Sequence, residues 1–294
     1  MRKLPIFFAL LTAFFNSQAQ KDKVYSSLDE ALKTPTEVYV LYLDNRKLTE
    51  VPEAILNFPN LTTLNLSGNK LSSIPEGLVK MESLVELDLS NNRFNTIPET
   101  ATKLIHLTEL DCSSNNLYYI PGSITNLVNL KQLYLNNNKI ASFPDFLAKM
   151  VNLSEIYFYG NLLNAIPESI AKLQNLTEIG LGGNMLTTLP AAMSSLPNLK
   201  YLALSYNKFT EVPACVMNLK KLIVLDLNGN KLTTVPVTIG GLTQLAELYL
   251  ASNKLKTLPE SITQLTKLEK INIKENTSLK LSPTLKQFIE DKKL

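Results

Sequence analysis

The sequence predicts an α/β solenoid, a right-handed stack of short coils with one parallel β-sheet along its concave side. Two observations predict it. One apolar pattern recurs every 23 residues along most of the chain, and each copy passes from a strand-like half to a helix-like half. A period of this size is typical of stacked repeats in which each unit contacts only its neighbours. We therefore expect one continuous solenoid, although 294 residues could otherwise form two domains.

The strand-like half begins each copy of the pattern. In the copy that starts at Leu61, Leu64 and Leu66 alternate with polar residues, as in a half-buried strand. Such a strand needs partners, so its backbone is expected to pair with the strands 23 residues before and after. Strand, crossover and parallel strand then wind right-handed. The eleven starts are Val38, Leu61, Leu84, Leu107, Leu130, Leu153, Leu176, Leu199, Leu222, Leu245 and Leu268.

An asparagine follows each strand at a constant position. Its amide both donates and accepts, so it can bond the buried backbone of the bend and of the next coil. An interior polar group is tolerated when it is fully hydrogen-bonded. The first coil departs, with Arg46 at this position. The expected internal column is Asn69, Asn92, Asn115, Asn138, Asn161, Asn184, Asn207, Asn230, Asn253 and Asn276.

The second half of each coil predicts a short α or 3₁₀ turn on the convex side. Proline followed by an acid opens this half in several copies, as at Pro75 and Glu76. Proline suits the first turn of a helix, and an early glutamate favours its positive end. Leu78 and Met81 then face the core at helical spacing. Because strands pack more closely than helical turns, the stack is expected to curve with the strands inside.

The first 19 residues predict a secretory signal peptide. Basic residues precede an apolar run from Leu4 to Phe15, and small residues lead to a cleavage site after Ala19. The alternative is a membrane anchor, but this run is shorter than the roughly 20 residues that span a bilayer. We therefore expect a secreted, periplasmic or cell-surface protein.

The ends of the stack need covers, because a terminal coil exposes its core. Residues 20–37 predict an N-terminal capping segment, in which Ser27 and Glu30 fit a capping box. Residues 38–267 hold repeats 1 to 10, and residues 268–294 predict a degenerate last repeat with a C-terminal cap.

The chemistry of the chain argues against an enzyme. The hydrophobic share of 45% is normal for a folded protein, and the net charge of +3 does not favour nucleic acid as a partner. The single histidine, His106, has no nucleophile or orienting group in register, and no metal-ligand cluster or phosphate loop occurs. We expect no catalytic residue, no metal and no cofactor. Cys112 and Cys215 fall on opposite walls, so both are interpreted as packing residues.

These residues resemble the leucine-rich repeat family in its 23-residue form, LxxLxLxxNxLxxLPxxIxxLxxLxx. The segment LTTLNLSGNKLSSIPEGLVKMES matches it nearly position for position, and the resemblance covers residues 38 to about 290. The resemblance implies a right-handed horseshoe that binds other macromolecules through its concave face. It implies no particular partner, and the leader looks bacterial.

An acidic patch is predicted on the concave face. Glu86, Asp88, Glu109 and Asp111 fall at outward positions of two neighbouring strands. Like charges that face each other across strands are destabilising, and a basic ligand would relieve the repulsion. The alternative is a merely solvated polar face.

An aromatic groove is predicted over repeats 5 to 8. The small residues Gly180, Gly182, Gly183 and Ala203 suggest a hollow, with tyrosines on both sides and acids at its edge. We expect a peptide or protein loop with basic or polar groups to dock there. The alternative is that tyrosines simply suit strands and glycine weakens one coil. The predicted binding residues are Tyr134, Tyr157, Tyr159, Glu155, Glu178, Tyr201 and Tyr206.

A column of basic residues marks one edge of the coils. It supports an alternative function, a surface or adhesive protein that binds glycans, although a solvated edge also accounts for it. The column is interrupted at Asn116, Leu162 and Met185. Its members are Lys47, Lys70, Arg93, Lys139, Lys208, Lys231 and Lys254.

Overall fold

The computed structural model describes residues 23–293, and it confirms the predicted solenoid. All strands of this part of the chain form one sheet, in which sequence order and spatial order coincide and every pairing is parallel. The strands are β1 (Val24–Tyr25), β2 (Val40–Tyr42), β3 (Thr63–Asn65), β4 (Glu86–Asp88), β5 (Glu109–Asp111), β6 (Gln132–Tyr134), β7 (Glu155–Tyr157), β8 (Glu178–Gly180), β9 (Tyr201–Ala203), β10 (Val224–Asp226), β11 (Glu247–Tyr249) and β12 (Lys270–Asn272).

The outer wall consists of 3₁₀-helices, which decides between the two predicted forms. From Glu53–Asn57 onward, all but one of these helices have a proline just before them in an extended conformation, as at Pro75 (φ −70°, ψ 142°), and not in the first turn. The exception is Ala101–Lys103, which Thr100 precedes, and in the N-terminal segment Pro35 is itself the first residue of its helix. The Pro75 carbonyl accepts the N–H of Leu78 at 3.1 Å. The 3₁₀-helices are Pro35–Glu37, Glu53–Asn57, Glu76–Lys80, Ala101–Lys103, Gly122–Asn126, Asp145–Lys149, Glu168–Lys172, Ala191–Ser195, Ala214–Asn218, Val237–Gly241 and Glu260–Gln264.

The pairing register is 23 residues throughout the repeats, so equivalent side chains stand side by side. Glu86 pairs with Glu109, and Asp88 pairs with Asp111. The middle residue of each strand points into the core, where Leu87 is almost fully buried. Neighbouring strands lie closer together than helical turns can, so the sheet lines the concave side.

The asparagine column is confirmed, with one correction to its bonds. Within its own bend, Asn92 Nδ2 donates to the carbonyls of Leu89 (3.1 Å) and Ser90 (3.0 Å). Its other bonds reach the preceding coil and not the next one. Nδ2 donates to the Leu66 carbonyl at 3.0 Å, and Oδ1 accepts the N–H of Leu71 at 2.9 Å. The other asparagines of the column follow the same scheme.

A second asparagine ladder, which the sequence reading missed, joins the coils just before the strands. Each side-chain amide donates to a backbone carbonyl 24 residues earlier, as from Asn152 to Val128 at 2.7 Å. These hydrogen bonds are exposed to solvent, so water competes for them and each contributes less than a buried one. The members are Asn60, Asn129, Asn152, Asn175 and Asn198.

The N-terminal cap contains an element that was not predicted. Helix α1 (Leu28–Ala31) begins at Ser27, whose Oγ accepts the N–H of Glu30 at 3.4 Å, the serine half of the predicted capping box. The Glu30 carboxylate pairs with Lys23 at 3.6 Å. Strand β1 precedes this helix and extends the sheet beyond the first repeat. The predicted signal peptide, residues 1–19, lies outside the described residues. Within residues 23–293, no helix is both long enough and apolar enough to cross a bilayer.

The C-terminal cap is a helix laid against the last coil. Strand β12 still pairs in register, and helix α2 (Pro283–Lys292) then begins at Ser282, which caps it. Within this helix Leu285 is fully buried and Phe288 is partly buried against the core. The helix replaces the outer wall of a regular coil at this end.

Candidate binding face

The concave face carries acids and tyrosines and almost no bases. The second, fourth and sixth residues after each repeat start supply its side chains. In repeats 3 to 10 these positions hold eight carboxylates and no lysine or arginine, although the whole chain has a net charge of +3. Positive charge is therefore concentrated elsewhere on the molecule, and the face favours a cationic partner. The carboxylates are Glu86, Asp88, Glu109, Asp111, Glu155, Glu178, Asp226 and Glu247.

The four residues of the acidic patch line one cavity of about 140 Å³. Burial and the neighbouring carboxylates, Glu86 first among them, raise the pKa of Glu109. Burial also raises the pKa of Asp111, partly offset by its hydrogen bonds from Ser113. The ion pairs within residues 23–293 are Lys23–Glu30 and Lys103–Glu76, so no internal cation neutralises the patch.

Three tyrosines form a ladder across β6 and β7. The rings of Tyr134 and Tyr157 stack with centroids 5.1 Å apart, and Tyr159 follows at 6.3 Å from Tyr157. Each strand tyrosine donates to a glutamate on the next strand, Tyr134 to Glu155 at 3.3 Å and Tyr157 to Glu178. Burial and these carboxylates raise the pKa of Tyr157, and burial raises that of Tyr159 to about 12. All three phenols therefore remain protonated donors at neutral pH.

The glycine hollow predicted between the tyrosines is not open. A Cβ on Gly180 would lie 2.4 Å from Tyr159 Cε2 and 2.5 Å from Tyr157 Cδ1. A Cβ on Gly182 would lie 2.5 Å from Tyr159 Cε1. The two glycines make room for rings that lie over them, and Gly183 occupies a turn at φ +65°. The hollow is filled because a tyrosine ring reaches across from the preceding coil.

The open space lies further along the face than predicted. A cavity of about 370 Å³ spans repeats 6 to 10, and we name it the tyrosine cavity. Ala203 and Val224 provide its small side chains, while tyrosines and carboxylates stand around them. Its functional side chains are Tyr157, Tyr159, Glu178, Tyr201, Asp226, Glu247 and Tyr249.

Three predicted binding residues lie outside this cavity. Glu155 accepts hydrogen bonds from Gln132 Nε2 at 2.9 Å and from the Tyr134 hydroxyl. Tyr134 is stacked behind Tyr157 and lies at the rear of the ladder. Tyr206 is on the turn after β9, with φ 52°, and its ring covers Gly229. It is 67% exposed and points along the edge of the coils, so it does not flank the groove. Several residue types occur at left-handed turn positions, each at low frequency. The sequence therefore gives no sign that Tyr206 occupies such a position.

The repeat pattern matches known families over most of the chain. A profile described as "Leucine rich repeat" matches residues 36–94, 83–140 and 151–209, together more than half of the chain. The chain belongs to the leucine-rich repeat family. Profiles described as "Leucine-rich repeat region" and "Leucine Rich repeats (2 copies)" match residues 189–291 and 128–172. No curated protein matches the chain.

Solved structures share this leucine-rich repeat fold. A leucine-rich repeat protein of Leptospira interrogans is 25% identical with a TM-score of 0.53, over 92% of this chain and 98% of that protein. An internalin of Listeria monocytogenes, InlF, is 21% identical with a TM-score of 0.56, over 85% and 88%. The plant peptide hormone receptor RGFR1, solved in complex with RGF2, is 22% identical with a TM-score of 0.66. That match covers 88% of this chain and 46% of the receptor. The last two likenesses show the fold alone.

Four lining residues of the leucine-rich repeat face were not predicted as site residues. Val224, Asp226, Glu247 and Tyr249 all occupy the second and fourth positions of their repeats. The register therefore already placed them on the face. The register does not show that tyrosine rings fill the neighbouring glycine hollow. Because they do, the open space lies beside these four residues.

Every basic residue of this edge is exposed. Lys139 Nζ lies 5.3 Å from the ring centroid of Tyr118, and no member of the edge forms an ion pair among the described residues. On the opposite side of the coils, His106 is exposed. Residues 23–293 contain no group of three or more His, Cys, Asp or Glu side chains that could hold a metal ion. Cys112 and Cys215 are free and buried, which confirms their predicted packing role.

Proposed function

We propose that this leucine-rich repeat protein is a non-enzymatic binding module that holds a peptide, or an extended segment of a partner protein, on its concave face. One observation carries the proposal: the face combines a tyrosine-lined cavity with eight carboxylates, none of which forms an ion pair among the described residues. Tyrosines supply large contact areas at low entropic cost, and carboxylates select cationic partners. In keeping with its first residues, we propose that the module acts outside the cytoplasm.

The fold is compatible with this function. The plant receptor RGFR1 was solved with RGF2, and the LRR ectodomain of GASSHO1 from Arabidopsis thaliana was solved in complex with CASPARIAN STRIP INTEGRITY FACTOR 2. These proteins support a scaffold on which a ligand can be held, and they name no partner for this chain. The partner proposed here follows from the charge and shape of this face.

The test is selection from a displayed library of random twelve-residue peptides on the immobilised protein. We expect enriched peptides that bind with micromolar affinity and that lose at least tenfold on Tyr201→Ala. Tyr201 is 39% exposed, so its truncation removes contact area with little effect on folding. The double variant Tyr157→Ala, Tyr201→Ala should abolish binding, but it also removes the Tyr134 stack and lowers stability.

The matched control is Tyr119→Ala. This tyrosine is 59% exposed and lies away from the tyrosine cavity. Selected peptides should bind this variant as well as they bind the unchanged protein. Equal binding to the Tyr201 variant would remove the cavity from the proposal, and a library without any binder would contradict the function.

The basic edge supports the second candidate, a glycan-binding surface protein. Its cations are exposed and lack internal ion pairs, so a polyanionic glycan can approach them without competition. Binding to a sulfated-glycan array that disappears in Lys208→Ala, Lys231→Ala and persists in Tyr201→Ala would favour this candidate over the peptide-binding one.

A further inference from the structure

We propose that the tyrosine cavity takes the side chain of an arginine in the bound peptide, with Asp226 as its principal carboxylate. The inference rests on the proposed function and names the residue type that the cavity selects. It follows from unused acceptor atoms, from the tyrosines that line the cavity and from an internal cation at its rim.

Each carboxylate of the cavity has one oxygen without a partner among the described residues. Glu178 accepts from the Tyr157 hydroxyl, and Glu247 accepts from that of Tyr249, in both cases through Oε2. Asp226 Oδ1 accepts the N–H of Asn228 at 2.9 Å. The second oxygen of each group therefore remains available to a ligand, while the first bond fixes the direction of the side chain. Preoriented acceptors of this kind favour a charged donor.

Asp226 is the central acid of the three. It lies on β10, and Glu178 and Glu247 lie on β8 and β11. Between β8 and β10, strand β9 presents only Ala203 at the equivalent position, so access to Asp226 is not blocked there. Neighbouring strands are about 4.8 Å apart, which places the outer two acids too far from each other to hold one metal ion. A long side chain with several donors fits this spread better.

The chain itself shows a cation against a tyrosine at the rim. Lys270 Nζ lies 4.9 Å from the ring centroid of Tyr249, whose hydroxyl is bonded to Glu247. Lys270 is placed next to Tyr249 in the same way as Glu178 is placed next to Tyr157. In both pairs the charged residue lies on the following strand, at the second position of its repeat. A cation can therefore sit beside a tyrosine–carboxylate pair of this face. Tyr201 and Tyr159 offer further ring surface inside the cavity.

Arginine fits these features better than lysine. A guanidinium is flat, so it can lie against a tyrosine ring while its N–H groups reach carboxylate oxygens on different strands. An ammonium group is compact and strongly hydrated, so it satisfies fewer of the spread acceptors at once. Neutral side chains of the same shape lack the charge that three carboxylates require.

The experiment titrates the peptide acetyl-Gly-Ser-Arg-Ser-Gly-amide into protein with ¹³C-labelled tyrosine rings. Arginine binding should shift the ring signals of Tyr201 and Tyr249, with a dissociation constant in the millimolar range. The same peptide with citrulline, which keeps the shape without the charge, should bind at least tenfold more weakly. The lysine peptide should bind between these two.

The paired variants are Asp226→Asn and Asp145→Asn. Asp145 begins the 3₁₀-helix Asp145–Lys149, outside the binding face, and like Asp226 it accepts a hydrogen bond through Oδ1, in its case from Ser169 Oγ at 2.6 Å. Asp226→Asn should weaken binding of the arginine peptide about tenfold, and Asp145→Asn should leave it unchanged. Equal binding of the citrulline peptide, equal losses in both variants, or no shift at all would overturn the inference. Library peptides that bind through Tyr201 without arginine would overturn it too, and would leave the proposed function standing.

Discussion

Tyr134 and Tyr157 stack face to face across β6 and β7, with ring centroids 5.1 Å apart and planes 5° from parallel. Their hydroxyls point onward along the sheet to Glu155 and Glu178. The stack is thus a structural support that holds Tyr157 against the tyrosine cavity.

The stack should show measurable coupling. Tyr134→Ala and Tyr157→Ala each remove one ring, so the second substitution finds the stacking contact already lost. We expect a coupling free energy of about 0.5–1.5 kcal/mol in a double-mutant cycle from urea unfolding. Strictly additive losses would mean that the rings contribute only through their separate burial.

Gly180→Ala should displace the ladder. The new Cβ would lie 2.4 Å from Tyr159 Cε2, so the ring has to move. We expect a loss of about 1–3 kcal/mol of unfolding free energy and a change in the tyrosine signal of near-ultraviolet circular dichroism. Gly122→Ala is the control, because nothing lies within 4 Å of a Cβ there. Equal effects of the two substitutions would contradict the close contact at Gly180.

Asn161→Ala tests the internal column. Its Oδ1 is the acceptor for the buried N–H of Ile140 at 3.1 Å, and alanine leaves that donor without a partner. We expect a loss of about 1–3 kcal/mol for this group alone. Asn152→Ala, from the exposed ladder, breaks one bond to Val128 that water can replace, and should cost under about 1 kcal/mol. Urea unfolding of both variants measures the difference.

The acidic patch should make stability depend on pH in a defined direction. Burial and Glu86 raise the pKa of Glu109 in the folded state, so its ionised form opposes folding. This destabilisation is present above the folded pKa, fades as the pH falls through that value and is gone below the unfolded pKa. Glu109→Gln should therefore stabilise the protein by about 0.5 kcal/mol at pH 7 and remove part of the gain on acidification.

Glu76 provides a control of opposite sign for the pH experiment. A hydrogen bond from Thr100 and the charge of Lys103 lower its pKa, so its ionised form favours folding. Its contribution is present above the unfolded pKa and is lost as the pH falls through the folded pKa. Glu76→Gln should therefore not stabilise at pH 7. Thermal unfolding of both variants between pH 4 and pH 7 checks the two signs.

The coils, their register and the asparagine column could be predicted from the sequence because their causes are local and repeated. Alternation within a strand assigns each side chain to the core or to the face, and a constant period aligns equivalent positions. This pattern places Leu64 and Leu66 in the core and Glu109 and Asp111 on the face, where the structure has them. The asparagine bonds within each bend are as predicted. The bonds between coils run to the preceding coil, whereas the next coil was predicted.

Only the tertiary structure decided where the face is open. Tyr159 lies over Gly180 and Gly182, residues of the next coil, because no Cβ there obstructs its ring. The direction of a ring depends on its side-chain torsions and on free space supplied by other coils, and neither follows from a one-coil pattern. Strand β1 and the turn position of Tyr206 were not predicted either, because the repeat pattern specifies neither of them. The sequence by itself determined which residues face outward, and packing between coils decided which of them form a cavity.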